Sequence, residues 1–409
     1  MSGQWTSLPG PTEVRRLGPS YEATSGDAHL RLDHLHEGRD ELTAELTVQL
    51  DDRHVSQARF NLSSLTARNS QAKYLSVVDE TVPWRQILEE LCLEVLRQHR
   101  AGDEVLSLNG QYADTNPFPP VLPPLLTHHR PTILFGEGGA GKSTIAAAAA
   151  LSLETGVEVI PGMLPSPSKV LVLDWEDQPE VWGGRLHELA KGAGIDQPGV
   201  DYQRQRRPFV EQAERVAAQC ARDGVEVVVI DSMGMAMGAG KEHGSAEDSA
   251  IQMFGALALL DCTVLIIDHV RGDALGSEKA VSRPYGSVYK TNLARSVFEL
   301  KREREPVEGR SEVMLVHTKS NLGRKLAPIG LAMVYEPGEI RIVRSEITAV
   351  EMQAARSLGD RMKGVLAGGA RTTAEVASEL DVPDASVRQT LRRDPRFVRI
   401  GTRLIGLKA

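Results

Sequence analysis

One segment constrains the fold of this chain more than any other. The apolar run Thr132–Phe135 breaks into a glycine loop, Gly136-Glu137-Gly138-Gly139-Ala140-Gly141, and the loop passes through Lys142-Ser143-Thr144 into a stretch of alanines. This is the pattern G-x-x-x-x-G-K-[ST] in its required setting of strand, loop and helix. The physical reasons for the residue types are plain. Glycines let successive backbone N–H groups converge on phosphate oxygens, and the helix N-terminus adds a favourable partial charge. The lysine reaches the β- and γ-phosphates and the serine hydroxyl ligates Mg2+. The segment therefore predicts an α/β fold with a site for ATP and Mg2+, the binding residues being Gly136 through Thr144.

A nucleoside triphosphatase also needs an acid for the metal and a group that orients water. Glu226-Val-Val-Val-Ile-Asp231-Ser232 is an apolar strand ending in a carboxylate, and Asp231 is the expected second metal ligand beside Ser143. Lys169-Val-Leu-Val-Leu-Asp174-Trp175-Glu176-Asp177 is another such strand, ending in three acids. Acids at the carboxyl ends of strands lie where open α/β sheets bind ligands.

Further strands are expected at Cys262–Asp268, Ser296–Lys301, Glu312–Lys319, Leu331–Tyr335 and Glu339–Val343, with helical stretches between the early ones. The early strands are continuous apolar runs, as in a parallel sheet covered on both faces. Residues 106–350 read as this ATPase domain.

The flanks differ. Residues 1–25 are rich in Gly, Pro, Ser and Thr and are expected to lack stable structure. Residues 26–105 read as a small α+β domain: alternating strands within Ala28–Leu50, a turn at 37–40, a strand at Gln57–Leu62, then an amphipathic helix, Val82–Arg97. His34, His36 and His54 lack metal-ligand spacing and read as a surface scatter. Six prolines within 112–131 indicate extended chain, either a linker or a lead-in wrapped on the next domain. Residues 351–409 carry the order helix, helix-turn-helix, hairpin, which is the winged-helix pattern. Here Thr373 and Asp384 are the expected caps.

The net charge of −8 argues against a protein that coats nucleic acid over its whole surface. The last 59 residues nonetheless hold 11 Lys and Arg against 7 Asp and Glu. No apolar run approaches a bilayer span and the first twenty residues lack a secretory pattern. The three cysteines fit neither a disulfide framework nor a zinc site, so a cytoplasmic protein is expected.

The order of these elements resembles the RecA/DnaB class of P-loop ATPases, and most closely the RepA-like hexameric helicases of plasmids and phages. The resemblance runs over about Val121–Val343. It rests on the P-loop, Asp174-Trp175-Glu176-Asp177, Arg185-Leu186, Leu265-Ile-Ile-Asp268-His269, Gly286-Ser287-Val288-Tyr289, and Leu315-Val-His317-Thr-Lys319-Ser-Asn321-Leu-Gly323-Arg324. It implies a RecA-like core with a mostly parallel sheet. It also implies that Glu176 activates water, that His269 senses the γ-phosphate, and that Lys319 or Arg324 reaches across to a neighbour's phosphate. A finger of that kind works only in a head-to-tail ring or filament, a hexamer in this family. His317 points the opposite way from its strand neighbours and has no assigned role.

Two loops are candidate contacts for single-stranded DNA, Met235–Ser245 with Lys241, and Val270–Pro284 with Arg271, Lys279 and Arg283. In the terminal unit Arg388, Arg392 and Arg393 share a helix face suited either to DNA or to protein docking. The expected activity is DNA-dependent ATP hydrolysis by a ring helicase in phage or plasmid replication. A recombinase or annealing protein and an ATP-switched DNA-binding regulator stay open beside it, as does a protein partner for the acidic N-terminal domain.

Overall fold

The computed structural model describes residues 12–101, 119–238, 245–270, 288–302, 308–321, 323–346, 358–380, 382–401 and 403–408. The chain begins with an antiparallel meander of five strands, β1 (Glu13–Leu17), β2 (Ser20–Ser25), β3 (Ala28–Glu37), β4 (Leu42–Leu50) and β5 (Arg53–Asn61). Two helices follow, α1 (Leu65–Val78) and α2 (Trp84–Ala101). The alternation in β3 puts Ala28, Leu30 and Leu32 inside, against Leu75 of α1 and Trp84, Leu88 and Leu91 of α2.

One expectation needs correction here. The part of the tail described from residue 12 is not unstructured. Strand β1 is held by ladder pairing to β2 and β2 by pairing to β3, with Tyr21 and Ala23 of β2 buried in the apolar core. Helix α1 had no clear apolar stripe because only Ala72 and Leu75 of it are buried.

The proline-rich lead-in wraps onto the core. A short hairpin, β6 (Pro120–Leu122) and β7 (Leu126–Thr127), buries Val121, Leu122, Leu125 and Leu126 in the main apolar cluster.

The core is a nine-stranded sheet. In chain order its strands are β8 (Thr132–Gly136), β9 (Val170–Asp174), β10 (Asp201–Arg204), β11 (Val227–Asp231), β12 (Thr263–His269), β13 (Ser296–Arg302), β14 (Arg310–Ser320), β15 (Ile329–Glu336) and β16 (Glu339–Arg344). In space they run β10-β9-β11-β12-β8-β13-β14-β15-β16. The strands from β10 to β13 are parallel, and the last three are antiparallel additions. The edge strand β10 escaped the sequence reading because Asp-Tyr-Gln-Arg carries no apolar pattern.

Helices α3 (Lys142–Thr155) and α4 (Pro179–Ala193) cover one face. Helices α5 (Ala213–Asp223) and α7 (Ala246–Leu257), with the single turn α6 (Met233–Ala236), cover the other. Every residue from Ile145 to Leu153 is buried. The alanines let this central helix lie close to the sheet on one side and α4 on the other. A short helix, α8 (Val288–Leu293), leads into β13. The N-terminal sheet rests on α5, where Gly18 abuts the backbone of Ala217.

The C-terminal unit is α9 (Leu358–Leu366), β17 (Arg371–Thr372), α10 (Thr373–Glu379), α11 (Asp384–Arg393), β18 (Phe397–Ile400) and β19 (Leu404–Leu407), with sheet order β17-β19-β18. This is a winged-helix arrangement around Met362, Val376, Val387 and Ile405. Thr372, not Thr373, caps α10, in a reciprocal capping box with Glu375. Pro383 rather than Asp384 occupies the cap position of α11. Among the described residues no helix is long and apolar enough to cross a membrane.

Candidate active site

Strand register gathers the predicted residues on one edge. Asp231 lies opposite Asp174, and His269 lies opposite Gly136. The ends of β8, β9, β11 and β12 thus form one continuous carboxyl edge, with the P-loop in its middle.

The loop requires its glycines. A Cβ on Gly136 would stand 2.4 Å from the Leu300 carbonyl oxygen, and one on Gly141, at φ +91°, would meet the Met333 methyl. Glu137, Gly138 and Gly139 are exposed at the tip, while Ala140 is buried and Thr144 turns inward. Arg302, at the end of β13, donates to the Gly139 carbonyl.

Lys142 is buried. Its Nζ donates to the carbonyls of Gly136 at 3.1 Å and Glu137 at 2.8 Å, and lies 3.4 Å from His269 Nδ1. Burial lowers the ammonium pKa, and the nearby Asp231, Glu176, Asp268 and Glu137 charges oppose that shift.

Asp231 is pushed up to about 6 by burial, against a hydrogen bond from Ser143 that lowers it and the neighbouring Glu176 and Asp174 charges that raise it further. A buried carboxylate beside a hydroxyl is a donor set short of positive charge. It suits a magnesium ion held by one carboxylate, one hydroxyl, phosphate oxygens and water. Among the described residues no group of three His, Cys, Asp or Glu side chains is placed to hold a metal ion, and such a magnesium site requires none.

Glu176 Oε1 accepts from Ser232 Oγ and lies 3.3 Å from His269 Nε2. The His269 hydrogen bond is the main cause that lowers the Glu176 pKa, against partial burial. Glu176 is therefore an ionised carboxylate at neutral pH. His269 bridges Lys142 and Glu176 through its two ring nitrogens, so one side chain touches both the P-loop lysine and the carboxylate beyond β9.

The next residue back along β12 makes a different pair. Asp268 is paired with Lys290 of α8 at 2.9 Å, both side chains almost fully buried. Arg185 on α4 stacks over Trp182, leaves a buried guanidinium nitrogen without a hydrogen-bond partner, and lowers the Asp231 pKa through its charge. The Arg185-Leu186 block gave no warning of this position at the site.

Lys319 and Arg324 are elsewhere. Lys319 pairs in register with Val297, which in turn pairs with Ile133 near the start of β8, so it sits toward the amino end of the parallel strands, away from its own P-loop. Its Nζ donates to three carbonyls of its own chain, those of Thr291, Asn292 and Ala294, at 2.7, 2.8 and 2.6 Å. It therefore caps the end of α8, and an ammonium so engaged has no spare donor for a phosphate. Arg324 is exposed on the segment after β14.

His317 is a packing residue. It stacks on Phe298 with ring centroids 4.2 Å apart, bonds Ser296 Oγ at 3.0 Å, and accepts from the Leu326 N–H. Lys241, Arg271, Lys279 and Arg283 lie outside the described residues. On α11, Arg388, Arg392 and Arg393 are exposed opposite the buried Val387 and Leu391, with Arg388 paired to Asp384 at 2.6 Å.

A family model described as an AAA domain matches residues 98–274. The chain carries an AAA-type P-loop ATPase domain. The matched span contains Lys142, Ser143, Glu176, Asp231 and His269, and ends before Lys319 and Arg324. ATP hydrolysis with Mg2+ is the general activity of such a domain. No curated protein matches the chain. Among solved structures, the KaiC-like protein PH0186 from the hyperthermophilic archaeon Pyrococcus horikoshii OT3 is similar at 14% identity, with a TM-score of 0.39, over 54% of this chain and 93% of that one.

Proposed function

We propose that this ATPase is a ring-forming, DNA-stimulated motor of the RepA-like helicase type. The observation that supports it best is the convergence of Lys142, Ser143, Asp231, Glu176 and His269 on one sheet edge. In this reading the loop amides and Lys142 bind the triphosphate. Ser143 and Asp231 would hold magnesium, which would supply positive charge to the phosphates. The ionised Glu176 accepts a hydrogen bond from water and aims it at the terminal phosphorus, and His269 registers whether that phosphate is present.

Arg324 takes the trans role because Lys319 is committed to its own carbonyls. The displacement of this segment from the chain's own P-loop favours service to a neighbour's site, and so favours a head-to-tail ring. The basic face of α11 is the proposed DNA contact among the described residues.

The test is steady-state ATP hydrolysis with and without single-stranded DNA at two salt concentrations, beside a Lys142→Ala control. Strong stimulation that fades at high salt is the expected result. Slow turnover indifferent to single strands, with duplex binding through residues 371–408, sinks the motor and leaves an ATP-switched regulator.

A further inference from the structure

We propose that Tyr202 and Arg204, on the edge strand β10, are positioning residues for Glu176. This rests on the reading of Glu176 as the residue that orients water.

Glu176 stands on a turn beyond β9 and is itself partly exposed. Its side chain meets Ser232 and His269, and the backbone of its turn is held by contacts to one buried carboxylate. Asp174 is fully buried. Its Oδ1 accepts from the backbone N–H of Glu176 at 2.8 Å and of Asp177 at 3.1 Å. Its Oδ2 accepts from Tyr202 Oη–H at 2.9 Å. The same phenol lies 3.2 Å from the Asp177 carbonyl.

Arg204 closes the turn from the other side. It donates to the Asp174 carbonyl at 2.9 Å and reaches the Glu176 carbonyl at 3.5 Å. The two residues alternate along β10 with Gln203 between them, and parallel pairing with β9 sets Tyr202 against Val172 and Arg204 against Asp174. A short edge strand thus grips the turn at its carboxylate and at its backbone.

The chemistry suits a fixed support. Burial and the Asp174 carboxylate push the Tyr202 phenol well above its ordinary range, so it stays a donor at any working pH. Arg204 binds as a planar fork. Without the phenol, Asp174 keeps its backbone donors from Glu176 and Asp177 but loses the side-chain donor on Oδ2, and the turn gains freedom. A base misplaced by about 1 Å costs roughly 10²-fold in rate.

The experiment compares the full chain with Tyr202→Phe, Arg204→Lys, Glu176→Gln and the double variant Tyr202→Phe/Glu176→Gln. The readouts are kcat, KM and the affinity for a fluorescent ATP analogue. Glu176→Gln is expected to lower kcat about 10³-fold. Tyr202→Phe, which keeps the ring and its packing, is expected to lower kcat about 10-fold and leave nucleotide affinity within about twofold, because phosphate binding uses the P-loop. Arg204→Lys follows the same split. The double variant should be no slower than Glu176→Gln alone, since a support has no effect once its base is gone.

If Glu176→Gln loses activity but Tyr202→Phe does not, the support is refuted and the role of Glu176 stands. Multiplying losses in the double variant, or a fall in nucleotide affinity that matches the fall in kcat, mark a general structural role and also overturn the proposal. Retained turnover in Glu176→Gln removes the base itself, and the proposal falls with it.

Discussion

The two edges of the core sheet treat charge in opposite ways. On the carboxyl edge, Asp231 is buried with a hydroxyl beside it and its pKa raised by that burial, and Lys142 rests on loop carbonyls near an imidazole. On the amino edge, Lys319 is satisfied by three carbonyls and His317 by a serine, a backbone amide and a phenylalanine ring. Polar groups that are fully matched hold structure, whereas groups left in electrostatic debt await a ligand. The contrast recurs within two neighbouring strand ends, since Asp268 has an ion pair with Lys290 where Asp231 has the Ser143 hydroxyl, with the Arg185 charge acting on it as well.

Substitutions can break this contrast. The largest effect belongs to Lys142→Ala, which should cut ATP hydrolysis by at least about 10³-fold while the unfolding midpoint in denaturant changes little. Retained turnover would remove the phosphate site from this edge. Next is Lys290→Met, which strands the buried Asp268 charge and should cost about 3–5 kcal/mol in chemical denaturation. Asp268→Asn added to it should recover most of the loss, and failure to do so would mean the pair is not the stabilising unit.

Asp231→Asn should move stability in the other direction. Its folded pKa of about 6 lies above the ordinary 3.8. The ionised form therefore weighs against the fold, an effect absent below about pH 4 that grows as pH rises through 6. The variant should gain on the order of 2 kcal/mol at pH 8 and nothing at pH 4, while losing hydrolysis. A loss of stability at pH 8 would mean that Asp231 is already well compensated. The smallest effect is Lys319→Met, which leaves the end of α8 without its donor and should cost about 1 kcal/mol in the same measurement.

Sequence legibility followed the same division. The strands of the parallel half were readable because they are unbroken apolar runs between turn signals, and their predicted ends fall within a residue or two of the observed ones. The site acids were readable because each sits just after such a run. Strand β10 was not, since an edge strand needs no apolar face and its residues Tyr202 and Arg204 act through hydrogen bonds that only the fold assembles. Strands β1 and β2 were missed for a related reason, because ladder pairing holds them. The engagement of Lys319 was hidden too, as a basic residue at a strand end reads the same whether it faces a neighbour or its own helix. Arg185 reaches the site through the close fit of α4 to the sheet, which local pattern does not encode.

Trp175 carries a last consequence. Its indole is buried, donates to the Arg207 carbonyl at 2.8 Å, meets Phe209 edge-on, and is covalently adjacent to Glu176. The ATPase therefore contains a natural fluorophore one peptide bond from Glu176, the residue proposed to orient water. Any shift of that turn during turnover would alter the emission of Trp175, so the motion can be followed in real time without attaching a dye.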